Sequence, residues 1–252
     1  MKTAPHLYPL HGFLGRPQDW HFLQGPIQAT FCPISLDKIA SPTAGLQEWG
    51  RHFNQQIPLQ GSSPNILLGY SLGGRLALHA LINSPHLWQA AIIVSAHPGL
   101  KTREDKRDRL EHDHRWAQRF LEEPWPALMD SWNSQSIFQG QRMDPRAETD
   151  YCRQSLHEQL IGWSLGNQDD LSEAICTLFI PILWVVGERD LPYRQLADTL
   201  HLKHPLSKHW CASKVAHRIP WESSSEFINE INQFIHTLRE EGHASPTSHA
   251  LA

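Results

Sequence analysis

The sequence predicts a doubly wound α/β fold, and three observations carry that prediction. Three near-continuous apolar runs, NILLGYS (65–71), AAIIVSAHPG (90–99) and PILWVVGERD (181–190), each end in small or polar residues. Strands covered on both faces read this way, as in a parallel sheet. Helical patterns alternate with these runs, and a Gly-x-Ser-x-Gly turn at 69–73 joins the first of them to the helix that follows. The alternation argues for a parallel sheet wrapped by helices on both sides.

Taken in order, HLYPLHGF (6–13) and ATFCPISLD (29–37) supply the first two strands, and LQEWGRHFNQQI (46–57) the first helix. The serine run follows, then the helix LGGRLALHALINSP (72–85) and the strand AAIIV. Residues 100–178 break the alternation with charged helical stretches, notably REDKRDRLEHDHRWAQRFLEE (103–123). Such an insertion is expected to sit as a helical lid over the carboxyl ends of the strands, where sheets of this kind bind ligands. After PILWVVGERD come one more strand and the helix SSSEFINEINQFIHTL (223–238). The expected organisation is a core of 1–99 and 179–239, a lid of 100–178 and a small, polar, disordered tail at 240–252.

Composition narrows the functional classes. The chain has 252 residues, 40% hydrophobic and 19% charged, with a net charge of −4. That is enough to bury a core without staples, and it gives no support for nucleic acid or a membrane surface as partner. Four scattered cysteines (32, 152, 176 and 211) show no metal-ligand spacing, so no metal or cofactor is expected. The absence of a leader or a spanning apolar run points to the cytoplasm. A monomer or small homo-oligomer is expected.

The serine turn is the centre of the functional reading. Gly69 and Gly73 allow the sharp strand-to-helix turn of a nucleophile elbow, which projects Ser71 above the sheet. A serine hydroxyl needs a base. In this topology the partners follow in the order serine, acid, histidine, which selects Asp190 at the end of PILWVVGERD and His217 in ASKVAHRIPWE. Glu188 is the rival acid, and a structural serine with a surface histidine is the bland alternative. The turn LHGFLG (10–15) is placed to present backbone donors, so the amides of Phe13 and Leu72 are the expected oxyanion hole. Arg75, one helical turn beyond Ser71, is positioned beside the nucleophile; Arg109 and Arg153 lie in the insertion, where most charges have opposite partners at i+3 or i+4.

LHGFLG with the later Asp-Trp, GYSLGGR, HPGL, RWAQRFLEEP, WNSQSIF and GERD occur here in the order and spacing of one family. Over residues 6–221 the chain resembles the 2-succinyl-6-hydroxy-2,4-cyclohexadiene-1-carboxylate synthases of menaquinone biosynthesis, members of the α/β-hydrolase superfamily. The resemblance implies an α/β-hydrolase fold of about six strands and a lyase that expels pyruvate from a small polycarboxylate substrate, with no metal. It implies Ser71, Asp190 and His217 as the triad acting as a base, and Tyr70, Arg75, Arg109, Trp132 and Arg153 as substrate-binding residues. The chain departs from the family at Ala216-His217-Arg218, where Gly-His-Asn is usual, and in SAHPGL, where His97 could reach the pocket. A serine carboxylesterase or thioesterase on a small substrate is the alternative reading, and a non-catalytic scaffold a third, against which the intact serine, acid and histidine argue.

Overall fold

The computed structural model describes residues 4–59, 63–139 and 144–241. Six strands form one sheet: β1 (His6–Leu10), β2 (Thr30–Phe31), β3 (Asn65–Tyr70), β4 (Ala90–Val94), β5 (Ile182–Gly187) and β6 (Lys208–Ala212). Their order is β2-β1-β3-β4-β5-β6, and every pairing is parallel. All residues of β3, β4 and β5 are buried, which is why those runs carry no polar alternation.

The helices are α1 (Gly45–Gln56), α2 (Leu72–Asn83), α3 (Arg103–Glu122), α4 (Trp125–Asn133), α5 (Arg153–Gly162), α6 (Ser172–Thr177), α7 (Leu191–Asp198), α8 (Ile219–Glu222) and α9 (Ser224–Glu241). One face of the sheet packs against α1 and α2 through Trp49, Phe53, Leu76 and Trp184. The opposite face packs against α9 through Phe227, Ile231 and Ile235. The chain order crosses over at β1, which has β2 on one side and β3 on the other, so the strands' carboxyl ends open a crevice there.

The second expected strand is shorter than its apolar run. Only Thr30–Phe31 pair regularly, with an isolated bridge between Leu10 and Ile34. Pro33 has no N–H to give, although Cys32 and Ile34 still donate to Leu7 and Pro9.

Helices α3 to α6 fill the excursion between β4 and β5. Thr102 caps α3 by accepting from the Asp105 amide at 3.0 Å, satisfying one of the donors a helix start leaves open. The excursion has its own apolar cluster around Trp116, Phe120, Trp125, Leu128 and Leu156. Phe13 joins it to the sheet edge, its ring 5.2 Å from Phe120 and 4.9 Å from Trp132. Arg146 binds Asp19 through both terminal nitrogens at 2.9 and 2.8 Å. No helix among the described residues is long and apolar enough to cross a membrane. The tail expected to be disordered lies, from residue 242 onward, outside the described residues.

Candidate active site

Ser71 stands between β3 and α2 with φ at 53°, a left-handed conformation that few side-chain-bearing residues adopt. The surrounding glycines are required by close approach. A Cβ on Gly69 would stand 2.6 Å from the Gly73 carbonyl oxygen, and one on Gly73 would collide with the carbonyl oxygens of Leu10 and His11. With side chains at either position, α2 could not lie this close to the strand ends, and the serine would not be raised at their edge.

His217, between β6 and α8, reaches Ser71: its Nε2 is 3.1 Å from the serine Oγ, and its Nδ1 is 2.6 Å from Asp190 Oδ2. The pattern assigns the proton to Nδ1, donated to the carboxylate, leaving Nε2 to accept from the serine hydroxyl. Histidine and aspartate side chains are 3% and 1% exposed, so water does not compete for this hydrogen bond. The rival acid, Glu188, is exposed and accepts from the Lys214 amide instead. Ser95, itself at φ 47°, fixes the histidine segment by donating from Oγ to the His217 carbonyl at 2.9 Å.

The Phe13 and Leu72 residues both border the same cavity, and neither amide has a backbone acceptor among the described residues. The turn bearing Phe13 is braced by His11, whose Nδ1 lies 2.9 Å from the Gly12 carbonyl and whose Nε2 accepts from the Leu36 amide. Burial pushes the His11 pKa down, which keeps the ring neutral and able to accept there.

Above Ser71 lies a cavity of about 140 Å³, bordered by Arg75, Arg109, Trp132, His97, Tyr193 and His217 among others. Arg75 is buried and donates to the Trp163 carbonyl at 2.6 Å and to Gln168 Oε1 at 3.2 Å. It has no carboxylate in ion-pair contact among the described residues. Burial, with Arg109 nearby, pushes its pKa down to about 10. Arg109 donates from Nε to both oxygens of Asp113 at 2.9 Å. Burial works to raise the Asp113 carboxyl, but hydrogen bonds from His112, Arg109 and Ser164 outweigh it and hold the group below the usual carboxylate range. One cation here is thus balanced and the other is not.

Two expected binding residues are placed elsewhere. Arg153 does not reach the cavity: its Nη1 donates to the carbonyls of Phe120 and Glu123, both at 2.8 Å, and its Nε to Glu148. It closes the carboxyl end of α3, whose last carbonyls lack helical partners. Tyr70 is buried behind the relay, with its ring 5.6 Å from that of His217 and edge-on to Trp221 at 4.9 Å. It packs against the imidazole and does not border the cavity.

The departure at Ala216-His217-Arg218 also has a structural account. Arg218 is buried, donates to Asn133 Oδ1 at 2.8 Å and lies 3.8 Å over the Phe138 ring, linking the histidine segment to the excursion. Sequence reasoning missed Asp113, Gln168 and Tyr193. Tyr193 had a signal, since it follows Asp190 by one turn on a helix that starts at a strand end. Gln168 had none. No cluster of metal-ligating side chains occurs among the described residues.

The profile of the alpha/beta hydrolase family matches residues 8–250. The 2-succinyl-6-hydroxy-2,4-cyclohexadiene-1-carboxylate synthases of Yersinia pestis (strain Pestoides F) and Yersinia pseudotuberculosis (serotype O:1b) are 32% identical to the chain over 229 residues, covering 86% of it and 83% of each relative. Among solved structures, MenH from S. aureus superposes with a TM-score of 0.85 at 22% identity, over 95% of this chain and 96% of that one. An esterase from Exiguobacterium antarcticum superposes with a TM-score of 0.69 at 15% identity, over 94% and 93%, a likeness of fold.

Proposed function

The chain belongs to the alpha/beta hydrolase family and, within it, with the 2-succinyl-6-hydroxy-2,4-cyclohexadiene-1-carboxylate synthases, and from that membership we propose that it is a lyase of menaquinone biosynthesis. The reaction is elimination of pyruvate from 2-succinyl-5-enolpyruvyl-6-hydroxy-3-cyclohexene-1-carboxylate. The observation that carries the reading is Arg75, a buried cation without a carboxylate in ion-pair contact among the described residues, beside Ser71 in a cavity that also holds Arg109. Burying a charge unpaired is costly, and a substrate carboxylate supplies the missing partner. A neutral ester would not.

In this reading Ser71 Oγ gives its proton to His217 Nε2 and takes the proton from the ring carbon that bears the succinyl group. The electron pair of that C–H bond enters the ring and the ring double bond shifts by one position. The C–O bond to the enolpyruvyl group then breaks with its electrons. Enolpyruvate leaves, is protonated on carbon from the imidazolium and becomes pyruvate, while the ring keeps two conjugated double bonds. No water is consumed and no acyl-enzyme forms. Negative charge develops on the succinyl carbonyl oxygen as the proton departs, and the amides of Phe13 and Leu72 are the donors for it. Asp190 holds the tautomer and stabilises the imidazolium. Residues 100–178 act as the lid, contributing Arg109 and Trp132 to substrate binding.

The test is pyruvate release from the enolpyruvyl substrate by the purified protein, followed with lactate dehydrogenase and NADH. Release far above the spontaneous rate is expected, with no covalent adduct on Ser71 by mass spectrometry during turnover. An acylated Ser71 with a burst of product would overturn the reading in favour of a serine hydrolase.

A further inference from the structure

Tyr193 belongs neither to the proton relay nor to the arginine set, yet it borders the cavity. It sits on the first turn of α7, three residues beyond Asp190. Its ring meets the His217 imidazole edge-on with centroids 4.8 Å apart, and the His97 ring lies 6.1 Å away on another side. The side chain is only partly buried, and its hydroxyl has no hydrogen-bond partner among the described residues. It lies within the field of both Arg75 and Arg109, and burial pushes the phenol up, so it keeps its proton and can donate. His97 adds a second neutral donor. Its Nδ1 accepts from the Gly99 amide at 3.1 Å, which leaves the proton on Nε2.

We propose that Tyr193 is a substrate-recognition residue whose hydroxyl donates to a carboxylate oxygen held beside Arg75 and Arg109. The inference deepens the lyase reading and rests on it. A carboxylate has about four lone-pair sites, and Arg75 and Arg109 already spend some of their donors on Gln168, the Trp163 carbonyl and Asp113, which leaves room for a further donor. A third cation here would add to the repulsion that Arg75 and Arg109 already exert on each other, whereas a phenol completes the coordination without charge. The rigid ring, packed on His217, brings that donor to a fixed place relative to the base, so the contact sets where the substrate's ring lies over Ser71.

The experiment compares the wild type with Tyr193→Phe, which keeps the ring against His217 and removes only the hydroxyl. Pyruvate release gives KM and kcat, and equilibrium binding of 4-oxo-4-phenylbutanoate, a stable keto acid, gives a Kd that needs no turnover. Expected are a rise of about tenfold in both KM and Kd with kcat within about twofold of wild type, the size of one hydrogen bond to a charged group. Unchanged KM and Kd would overturn the inference. So would a fall in kcat at unchanged KM, which would place the hydroxyl's effect on His217 instead of on the substrate. If the wild type releases no pyruvate while Tyr193→Phe still weakens keto-acid binding about tenfold, the carboxylate contact stands and the lyase reading falls.

Discussion

Replacing Arg75 by methionine separates what the guanidinium does for the substrate from what it does to the fold. Its pKa is pushed down to about 10 by burial and by Arg109. At about 1.4 kcal/mol per pH unit, keeping the charge there costs on the order of 3 kcal/mol relative to water. Against this stand two hydrogen bonds, to the Trp163 carbonyl and Gln168 Oε1. Their loss leaves two buried acceptors at about 1–3 kcal/mol each. The opposing effects are of similar size, so the stability of Arg75→Met should lie within about 2 kcal/mol of wild type. Catalysis has no such compensation. A charge-assisted contact to the substrate contributes about 1.5–3 kcal/mol, so kcat/KM should fall about ten- to a hundredfold. Urea unfolding followed by tryptophan fluorescence measures the first quantity, and coupled pyruvate release the second. Lysine at the position should restore part of the activity, because its point charge lacks the planar two-donor fork. A kcat/KM within twofold of wild type would refute the argument, as it would mean that no substrate anion meets Arg75. A loss of stability above about 4 kcal/mol with proportionate loss of activity would refute it too, since the guanidinium would then be a structural strut.

Ser71→Ala and His217→Ala should each reduce turnover by about three orders of magnitude or more, and the double variant should be little worse than either, because the two side chains act as one proton-transfer unit; additive losses in steady-state rates would contradict this. His79, buried in α2, has its pKa lowered to about 4, chiefly by burial and then by Arg75. The unfolded chain therefore binds a proton there that the folded one does not, between about pH 6.5 and 4. Stability is full above that window and falls as pH drops through it. In His79→Leu the acid-side slope of unfolding free energy should shrink by up to about 1.4 kcal/mol per pH unit, and an identical pH profile would show that His79 is not the source. Gly73→Ala should destabilise by at least about 1–3 kcal/mol through the forced collision with the Leu10 and His11 carbonyls, and it should depress turnover because the same shift displaces the Phe13 and Leu72 amides; a normally stable, fully active variant would show that the turn has slack.

The parts of the molecule legible in the sequence are those whose causes are local. The runs that became β1, β3, β4 and β5 are apolar because both faces are covered, and that requirement is written residue by residue. The serine turn is legible because its glycines answer to atoms a few residues away. Asp190 and His217 could be placed because each follows a strand end and the strand ends share one edge. The direction of a side chain within the excursion is another matter. Arg153 and Arg109 both sit on charged helices, and nothing local tells which one faces the cavity. The packing of α3 against α5 decides it, turning Arg153 toward the Phe120 and Glu123 carbonyls. ATFCPISLD was overread for a related reason: its apolar residues are half-buried at the sheet's edge beside β1, and regular pairing there covers Thr30–Phe31 alone.

The contact between Ser71 and His217 joins residues 146 positions apart. Contacts of that separation require a large loop to close before they form, and they tend to be made late in folding. During synthesis the amino-terminal strands and the serine turn emerge well before the segment that carries His217. Until β5, β6 and the segment after them are in place, Ser71 is an ordinary alcohol with no base in reach. In the proposed mechanism the serine is therefore armed by completion of the sheet. On the proposed mechanism, a chain whose His217 segment is not yet folded has no base beside Ser71, so proton abstraction there waits on the finished fold.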